Sequence, residues 1–384
     1  MNDVIDSLVV AAGARPDDMA RVVDERGAEA VAGAVAAEIA ARCLPLPGVP
    51  DVAVQFDVTH GPSRLGHTFS ITEKGVTVTS GRDPHAPMWI GYELADLARE
   101  LYGPPGGRPG RTRRVELRLG RDSSADRPDP KAWLRRMDPV ARATRVLLAA
   151  LDPVSPGLAE LAVRYGTDKN GGLHWFAPCY ERHFAELRAE PVRLLEIGIG
   201  GYEEPHLGGG SLRMWRRYFR RGLVYGVDIH EKSLPGEPRI TTLRGDQSDA
   251  DFMRDLARRH GPFDVIIDDG SHRSDHVIGT FGTLFPFLRP GGYYVVEDTQ
   301  FSYWPGWGGD AGDLDSPRTS VGALKELVDG LHHEDLPDAG ARGDGVHEHV
   351  GAVHFYRGIA FVEKAVNSEG TLPPWIPRFG TATE

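Results

Sequence analysis

The chain has 384 residues, a formal net charge of -11 at pH 7 and 40% apolar residues. That length predicts two domains, and the apolar content is enough to build real cores. The acidic balance argues against nucleic acid or an anionic membrane surface as a partner, since both call for a concentrated basic face.

The start, MNDVIDSLVV, carries acids where a signal peptide needs bases. No apolar run approaches the roughly 20 residues that span a bilayer. Cys43 and Cys179 offer neither a disulfide framework nor metal-ligand spacing. A cytoplasmic protein with idle thiols is the expectation. The short arginine clusters (Arg111, Arg113 and Arg114; Arg216 with Arg217; Arg220 with Arg221) read as solvated faces or helix ends.

Residues 1–150 read as an α+β auxiliary domain, and 151–384 as the catalytic one. In the first, the Ala-rich stretch Val22 to Cys43 predicts a helix, and Val52–Val58, His67–Thr72 and Gly75–Thr79 predict strands. Ile90 to Tyr102 has helical spacing and ends at a Gly/Pro run. His60 and His67 read as structural, and this half assembles no catalytic set. After Asp152–Pro156 the grammar changes. Apolar strands at Val192–Gly198, Leu223–Ile229, Ile240–Gly245, Phe263–Asp269 and Gly292–Asp298 alternate with helices at Ser211–Phe219, Asp249–His260 and Asp275–Leu288. This is the pattern of a parallel sheet covered on both faces. A helix at Ser320–His332 and two close strands, Val350–Tyr356 and Ile359–Lys364, add a closing hairpin to a Rossmann-like sheet.

The segment VRLLEIGIGGY (192–202) is a strand running into a Gly-rich turn, whose Gly198, Gly200 and Gly201 let backbone approach a ligand. The dinucleotide pattern fails, because Glu203 stands where its third glycine belongs. Acidic neighbours suit a cationic sulfonium better than a pyrophosphate. Glu196 precedes the turn, Asp228 ends the next strand where it would accept ribose hydroxyls, and Gln247 and Ser248 follow the third strand, able to meet an adenine edge. Together these favour S-adenosylmethionine over NAD.

Two acidic clusters, IIDDGSH (266–272) and VVEDTQ (295–300), end the following strands. Neighbouring strands open onto one crevice, so Asp269, Glu297 and Asp298 would converge. Such carboxylates repel one another unless a cation neutralises them, and hard oxygen ligands suit Mg²⁺ or Mn²⁺. A metal lowers the pKa of a bound hydroxyl, and His272, three residues beyond Asp269, would take the proton, with His276 the weaker candidate. The loop 303–320 is rich in Gly and aromatics, as a lid is, and Tyr303, Trp304 and Trp307 offer flat faces to an acceptor. A sugar diol and a catechol both present two vicinal oxygens, so these motifs admit either acceptor. A catalytically silent scaffold is a third reading, against which the intact acidic set speaks.

The second domain resembles the macrolide-glycoside O-methyltransferases of the mycinamicin VI and macrocin type and their rhamnosyl O-methyltransferase relatives. The matching stretches include LHWFAPCYERHF (173–184), LEIGIGGY (195–202), GGGSLRMWRRYF (208–219), FDVIIDDGSH (263–272), RPGGYYVVEDT (289–299) and FVEKAVNSEG (361–370). The resemblance implies a class I methyltransferase fold, Mg²⁺ on Asp269, Glu297 and Asp298, and His272 as general base. It implies a cofactor site lined by Thr167, Glu196, Gly198, Tyr202, Ser211, Asp228, Gln247 and Asp268. It further implies a glycosylated small-molecule acceptor and a homo-oligomer, usually a tetramer.

Overall fold

The computed structural model describes residues 1–43, 51–104, 112–118, 130–151, 156–171, 173–335 and 346–367. The linker Asp152–Ser155, Arg111 with most of the Gly/Pro run, and the tail from Ser368 lie outside the described residues.

The chain opens with three helices, α1 (Asn2–Ala12), α2 (Pro16–Arg26) and α3 (Ala28–Arg42). The single helix expected from Val22 does not form, because Gly27 adopts φ 85° and separates α2 from α3. Strands β1 (Val52–His60), β2 (Ser63–Thr72), β3 (Gly75–Ser80), β4 (Met88–Glu93) and β5 (Arg114–Leu117) form a sheet in the order β3-β2-β1-β4-β5. Only the last part of the stretch expected to be helical from Ile90 is a helix, α4 (Leu94–Tyr102). Met88 to Glu93 instead pairs in parallel with β1, and Met88, Ile90 and Tyr92 are buried at strand spacing. Tertiary pairing overrides a weak local preference here. Helix α5 (Pro130–Leu151) completes this unit. Its core runs from Ile5 to Leu151 and takes in Leu223 from the rest of the chain.

The second unit begins with α6 (Leu158–Tyr165), a short hairpin of β6 (Asn170–Gly171) and β7 (His174–Trp175), and α7 (Ala177–Phe184). There follow β8 (Arg193–Ile197), α8 (Gly210–Tyr218), β9 (Leu223–Asp228), β10 (Ile240–Arg244), α9 (Ala250–His260), β11 (Phe263–Asp268), α10 (Ser274–Leu284) and β12 (Leu288–Glu297). Helix α11 (Ser320–Gly330) and the hairpin β13 (Val350–Tyr356) and β14 (Ile359–Lys364) close the fold. The sheet order is β10-β9-β8-β11-β12-β14-β13, with the first five strands parallel and β14 antiparallel to both neighbours. The order reverses at β8 and β11, which opens a crevice beyond their carboxyl ends.

Side-chain alternation assigns each residue a face. Leu194, Val265, Ile267 and Val295 pack with α6, α7 and α8, whereas Leu195, Ile197, Ile266, Tyr294 and Val296 pack with α9, α10 and α11. By the same count Glu196, Asp269 and Glu297 share the α6–α8 face, and Asp268 points to the other.

The two units meet at a buried charge network. Glu38 is 0% exposed and accepts from Arg239 Nε (2.9 Å) and Nη2 (2.8 Å) and from Arg42 Nε (2.7 Å). Arg239 also donates to the carbonyls of Phe219, Gly222 and Arg216 around the end of α8. Arg216 and Arg217 lie in the last turn of α8, as the helix-end reading expects, but with Arg221 they are buried at this junction and not solvated. The C-terminal turn of α8 faces the first unit rather than water, so hydropathy alone misplaces them. His67 is buried and His60 sits between Asp24 and Glu93, both structural in setting. Both cysteines are free thiols.

Candidate functional site

The Gly-rich turn after β8 is built by close backbone contacts. Gly198 has φ 92°, its N–H donates to Val227 O (2.8 Å), and a Cβ there would lie 2.0 Å from Asp269 O. The turn's second limb returns against the first, and a Cβ on Gly201 would meet Leu207 O at 2.4 Å. Gly200 faces open space, with nothing within 4 Å of a Cβ. Asp228 at the end of β9 accepts from Ile199 N (3.0 Å) and His230 N (2.9 Å), so its carboxylate fixes the turn from the next strand.

Glu196 is fully buried and accepts from Ser211 Oγ (2.8 Å), in the first turn of α8. Its Oε1 lies 3.2 Å from the Lys169 ammonium but accepts no hydrogen bond. Burial raises the carboxyl's pKa, and Lys169 opposes that shift. Thr167 packs beside Gly210 at the start of α8. Tyr202, also with positive φ, is 88% exposed. Gln247 accepts from Ser271 N (2.6 Å) and donates to Asp268 Oδ1 (3.2 Å), tying the loop after β10 to the loop after β11. Asp268 is pushed up to about 6 by burial, with the Gln247 hydrogen bond opposing it. Ser248 is exposed and bonds Asp246.

The acidic strand ends come together at the same crevice. Ligand-capable atoms of Asp269, His272 and Asp298 lie within 4.8 Å of one another. Among the described residues only four non-glycines have positive φ, and His272 (56°) and Asp298 (54°) are two of them. Such conformations cost of order 1–2 kcal/mol and collect at functional sites. His272 Nε2 lies 3.6 Å from Asp298 Oδ2, and Gln300 donates to Asp298 Oδ1 (2.8 Å). His276 does not join the cluster, and its Nδ1 meets Ser271 Oγ at 2.9 Å.

Glu297 sits deeper than its neighbour. It is 3% exposed, and its Oε1 accepts from Lys169 Nζ (2.6 Å) and from Tyr180 OH in a short hydrogen bond. Burial and Asp269 raise its pKa against those two donors. Lys169 also donates to Asp269 Oδ2 (2.9 Å). Burial disfavours the Lys169 ammonium, but Asp269, Glu297 and Glu196 outweigh it and hold the pKa well above the ordinary value.

The loop after β12 covers His272. Phe301 stacks on the imidazole at 4.9 Å, and Trp304 and Trp307 pack edge-on against Phe301 at 4.5 and 4.6 Å. Tyr303, Trp304 and Trp307 keep one face toward solvent, at 38–48% exposure. A cavity of about 410 Å³ opens beside this loop, lined in part by Gln300, Tyr303, Lys325, Phe355 and Tyr356.

Sequence reasoning missed Lys169, His174, Tyr180, Gln300 and Phe301. His174 Nε2 lies 3.5 Å from Asp298 Oδ1. Only stacking order would have flagged Phe301, and a lone lysine before a short hairpin carries no pattern.

The family model described as MycE methyltransferase N-terminal matches residues 5–113. The chain is 44% identical over 380 residues to demethylmacrocin O-methyltransferase of Streptomyces fradiae, covering 98% of this chain and 94% of the relative. It is 46% identical over 369 residues to 8-demethyl-8-alpha-L-rhamnosyl tetracenomycin-C 2'-O-methyltransferase of Streptomyces olivaceus, covering 94% and 95%. Its fold is similar to that of MycE methyltransferase from the mycinamycin biosynthetic pathway, solved with Mg, SAH and mycinamycin VI, at TM-score 0.88 and 39% identity over 99% of this chain and 97% of that one.

Proposed function

We infer that this chain, which belongs to the family of the demethylmacrocin, mycinamicin VI and rhamnosyl-tetracenomycin sugar O-methyltransferases, methylates a sugar hydroxyl of a glycosylated natural product with S-adenosylmethionine and Mg²⁺. The observation that carries this reading is the juxtaposition, in one crevice, of a glycine turn with room above Gly200 and the cluster Asp269, His272 and Asp298. Relatives whose names specify a rhamnosyl acceptor cover the chain almost end to end.

The donor set fits both groups. Buried Glu196 with its unbonded Oε1, Asp228, the turn Gly198–Tyr202, Ser211 and Thr167 would hold the methyl donor. Gln247, Ser248 and Asp268 complete that side, with Gln247 and Asp268 acting here chiefly on each other. Asp269, Asp298 and the second oxygen of Glu297 are hard oxygen donors suited to Mg²⁺ or Mn²⁺. Bound, the sulfonium supplies the methyl group and the metal makes an adjacent hydroxyl more acidic. The chain's own contribution is to orient the acceptor and receive its proton. His272 Nε2 faces the carboxylate cluster and Phe301 stacks on its ring, an orientation in which the imidazole would serve as general base. Tyr303, Trp304 and Trp307, with the adjoining 410 Å³ cavity, supply apolar area for the aglycone.

One observation favours a second reading of His272: it, rather than Glu297, forms the tightest three-residue group with Asp269 and Asp298. As a ligand it would be needed for metal affinity. A His272→Ala variant that keeps Mn²⁺ affinity but loses turnover identifies the base; a tenfold loss of affinity identifies a ligand.

The division at residues 150 and 151 into an auxiliary, oligomerisation domain and a methyltransferase domain is part of this proposal, supported by a first core drawn almost wholly from residues 5–151, to which Leu223 also contributes. So are a homotetramer and a cytoplasmic location without nucleic-acid or membrane partners. Among the described residues no helix is long and apolar enough to cross a membrane. Light scattering on the purified chain tests the tetramer. The function is tested with an acceptor panel, S-adenosylmethionine and Mg²⁺, followed by mass spectrometry. A methyl on the sugar of a macrolide or aromatic glycoside is expected. Turnover of free phenolic aglycones with none of their glycosides would refute the sugar reading in favour of a catechol or phenol methyltransferase.

A further inference from the structure

Four carboxylates, Glu196, Asp269, Glu297 and Asp298, crowd the crevice. Among the described residues, the only lysine or arginine paired with any of them is Lys169, which reaches three. Its side chain is 1% exposed, so bulk solvent screens it little. Its position is fixed by more than those ion pairs. The carbonyl of Lys169 accepts from Phe176 N and Ala177 N, both at 3.0 Å, which pins its backbone to the start of α7. The same helix carries Tyr180, the other donor to Glu297 Oε1. One short segment thus grips the acidic set from the α6–α8 side.

The contacts are unevenly distributed over the oxygens. Lys169 takes Oδ2 of Asp269 and, with Tyr180, Oε1 of Glu297. That leaves Asp269 Oδ1 and Glu297 Oε2 without a lysine. The fixed ammonium therefore lowers the negative charge that the acidic set presents, and it repels any cation that enters.

We propose that Lys169 is a positioning residue and a built-in counter-cation: it holds Asp269 and Glu297 oriented in the ion-free protein, and its charge weakens divalent-ion binding so that the ion stays exchangeable. This rests on the reading that Asp269, Glu297 and Asp298 hold the metal.

The test is Mn²⁺ titration of the full chain, read by calorimetry and by the electron spin resonance of free Mn²⁺, for wild type, Lys169→Met and Lys169→Gln. Both variants are purified with Mn²⁺ present and then stripped with EDTA. Each is expected to bind Mn²⁺ at least tenfold more tightly than wild type. Each is also expected to melt lower than wild type in EDTA and to recover with saturating Mn²⁺. Unchanged or weaker Mn²⁺ affinity in both variants overturns the proposal. So does a melting deficit that Mn²⁺ leaves in place, or failure of both to fold even with Mn²⁺, since Lys169 would then serve packing alone. An Asp269→Asn variant separates the premise from the inference. If it binds Mn²⁺ as wild type does, the metal assignment itself falls and takes this proposal with it; if it loses binding, the lysine variants decide.

Discussion

Replacing Gly198 by alanine tests whether the glycine turn and the acidic cluster are mechanically one unit. At this position φ is 92°, which an L-residue adopts at a cost of ~1–2 kcal/mol. The new Cβ would stand 2.0 Å from Asp269 O and 2.8 Å from Asp269 C. Ordinary contact needs about 3.4 Å or more, so backbone has to move by roughly 1.4 Å, and no side chain can rotate away; overpacking of this kind costs ~1–3 kcal/mol. The total is about 2–5 kcal/mol, and every 1.4 kcal/mol expressed in binding is tenfold in affinity. The displaced backbone belongs to Asp269, whose own N–H donates to Ile197 O across the same junction (3.0 Å). Gly198→Ala should therefore weaken both S-adenosylhomocysteine and Mn²⁺ binding by at least about tenfold. Gly200→Ala is the matched control for Mn²⁺ binding alone, since its Cβ would enter the space proposed for the methyl donor. Its φ is 75°, but a Cβ there meets nothing within 4 Å, so it carries the backbone strain without the collision. Calorimetric titration of each variant with Mn²⁺ gives the comparison. Equal effects on Mn²⁺ affinity from the two substitutions, or a Gly198→Ala variant with normal Mn²⁺ affinity, would refute the coupling through Asp269.

Four further outcomes are expected. His272→Ala should lower methyl transfer by ~10²–10⁴ at saturating cofactor, measured by product mass, with Mn²⁺ affinity within a few-fold of wild type. Glu38→Gln should cost ~3–5 kcal/mol in urea unfolding, because it strands Arg239 and Arg42 in a buried junction; a loss under ~1 kcal/mol would show the network to be dispensable. Although burial opposes it, Arg239 and Arg42 hold the Glu38 carboxyl well below the carboxylate range. Its stabilising contribution is therefore present above the unfolded value of about 4.3 and lost as pH falls below that. Trp304→Ala and Trp307→Ala should each raise the acceptor KM by roughly 5- to 30-fold, equivalent to ~1–2 kcal/mol of lost apolar contact, while leaving S-adenosylhomocysteine affinity unchanged. His183 is stacked on Phe361 at 4.3 Å and bonded to Tyr356 OH (3.0 Å), and burial, then His354 and Arg182, push it down to about 4. Its neutral form is favoured in the folded state, so stability should fall as pH drops from about 6.5 toward 4. A His183→Phe variant should flatten that part of the thermal-stability profile.

Local chemistry made much of this molecule legible from sequence. The strands β8, β9 and β11 form where largely apolar runs are bounded by turn residues, and such runs are stable only when covered on both faces. Given that alternation, the carboxyl ends of neighbouring strands must share a crevice, which is why Asp269 and Asp298 could be paired across 29 residues of sequence. Glycines that backbone contacts demand, such as Gly198, are visible for the same reason.

Tertiary structure alone decided the rest. Met88–Glu93 is a strand because β1 offers it a partner, not because its own spacing says so. Arg216, Arg217 and Arg221 look solvent-bound in sequence and are buried because a second unit packs on α8. Lys169 lies 128 residues from Glu297 along the chain and 2.6 Å from it in space. An ion pair depends on distance, and distance between residues so far apart is set by how the helices lie on the sheet. The sequence by itself determined which carboxylates reach the crevice, through strand period and strand order. Which cation balances them, and which ring covers His272, followed only from the packing of α7 and the loop after β12 against that sheet.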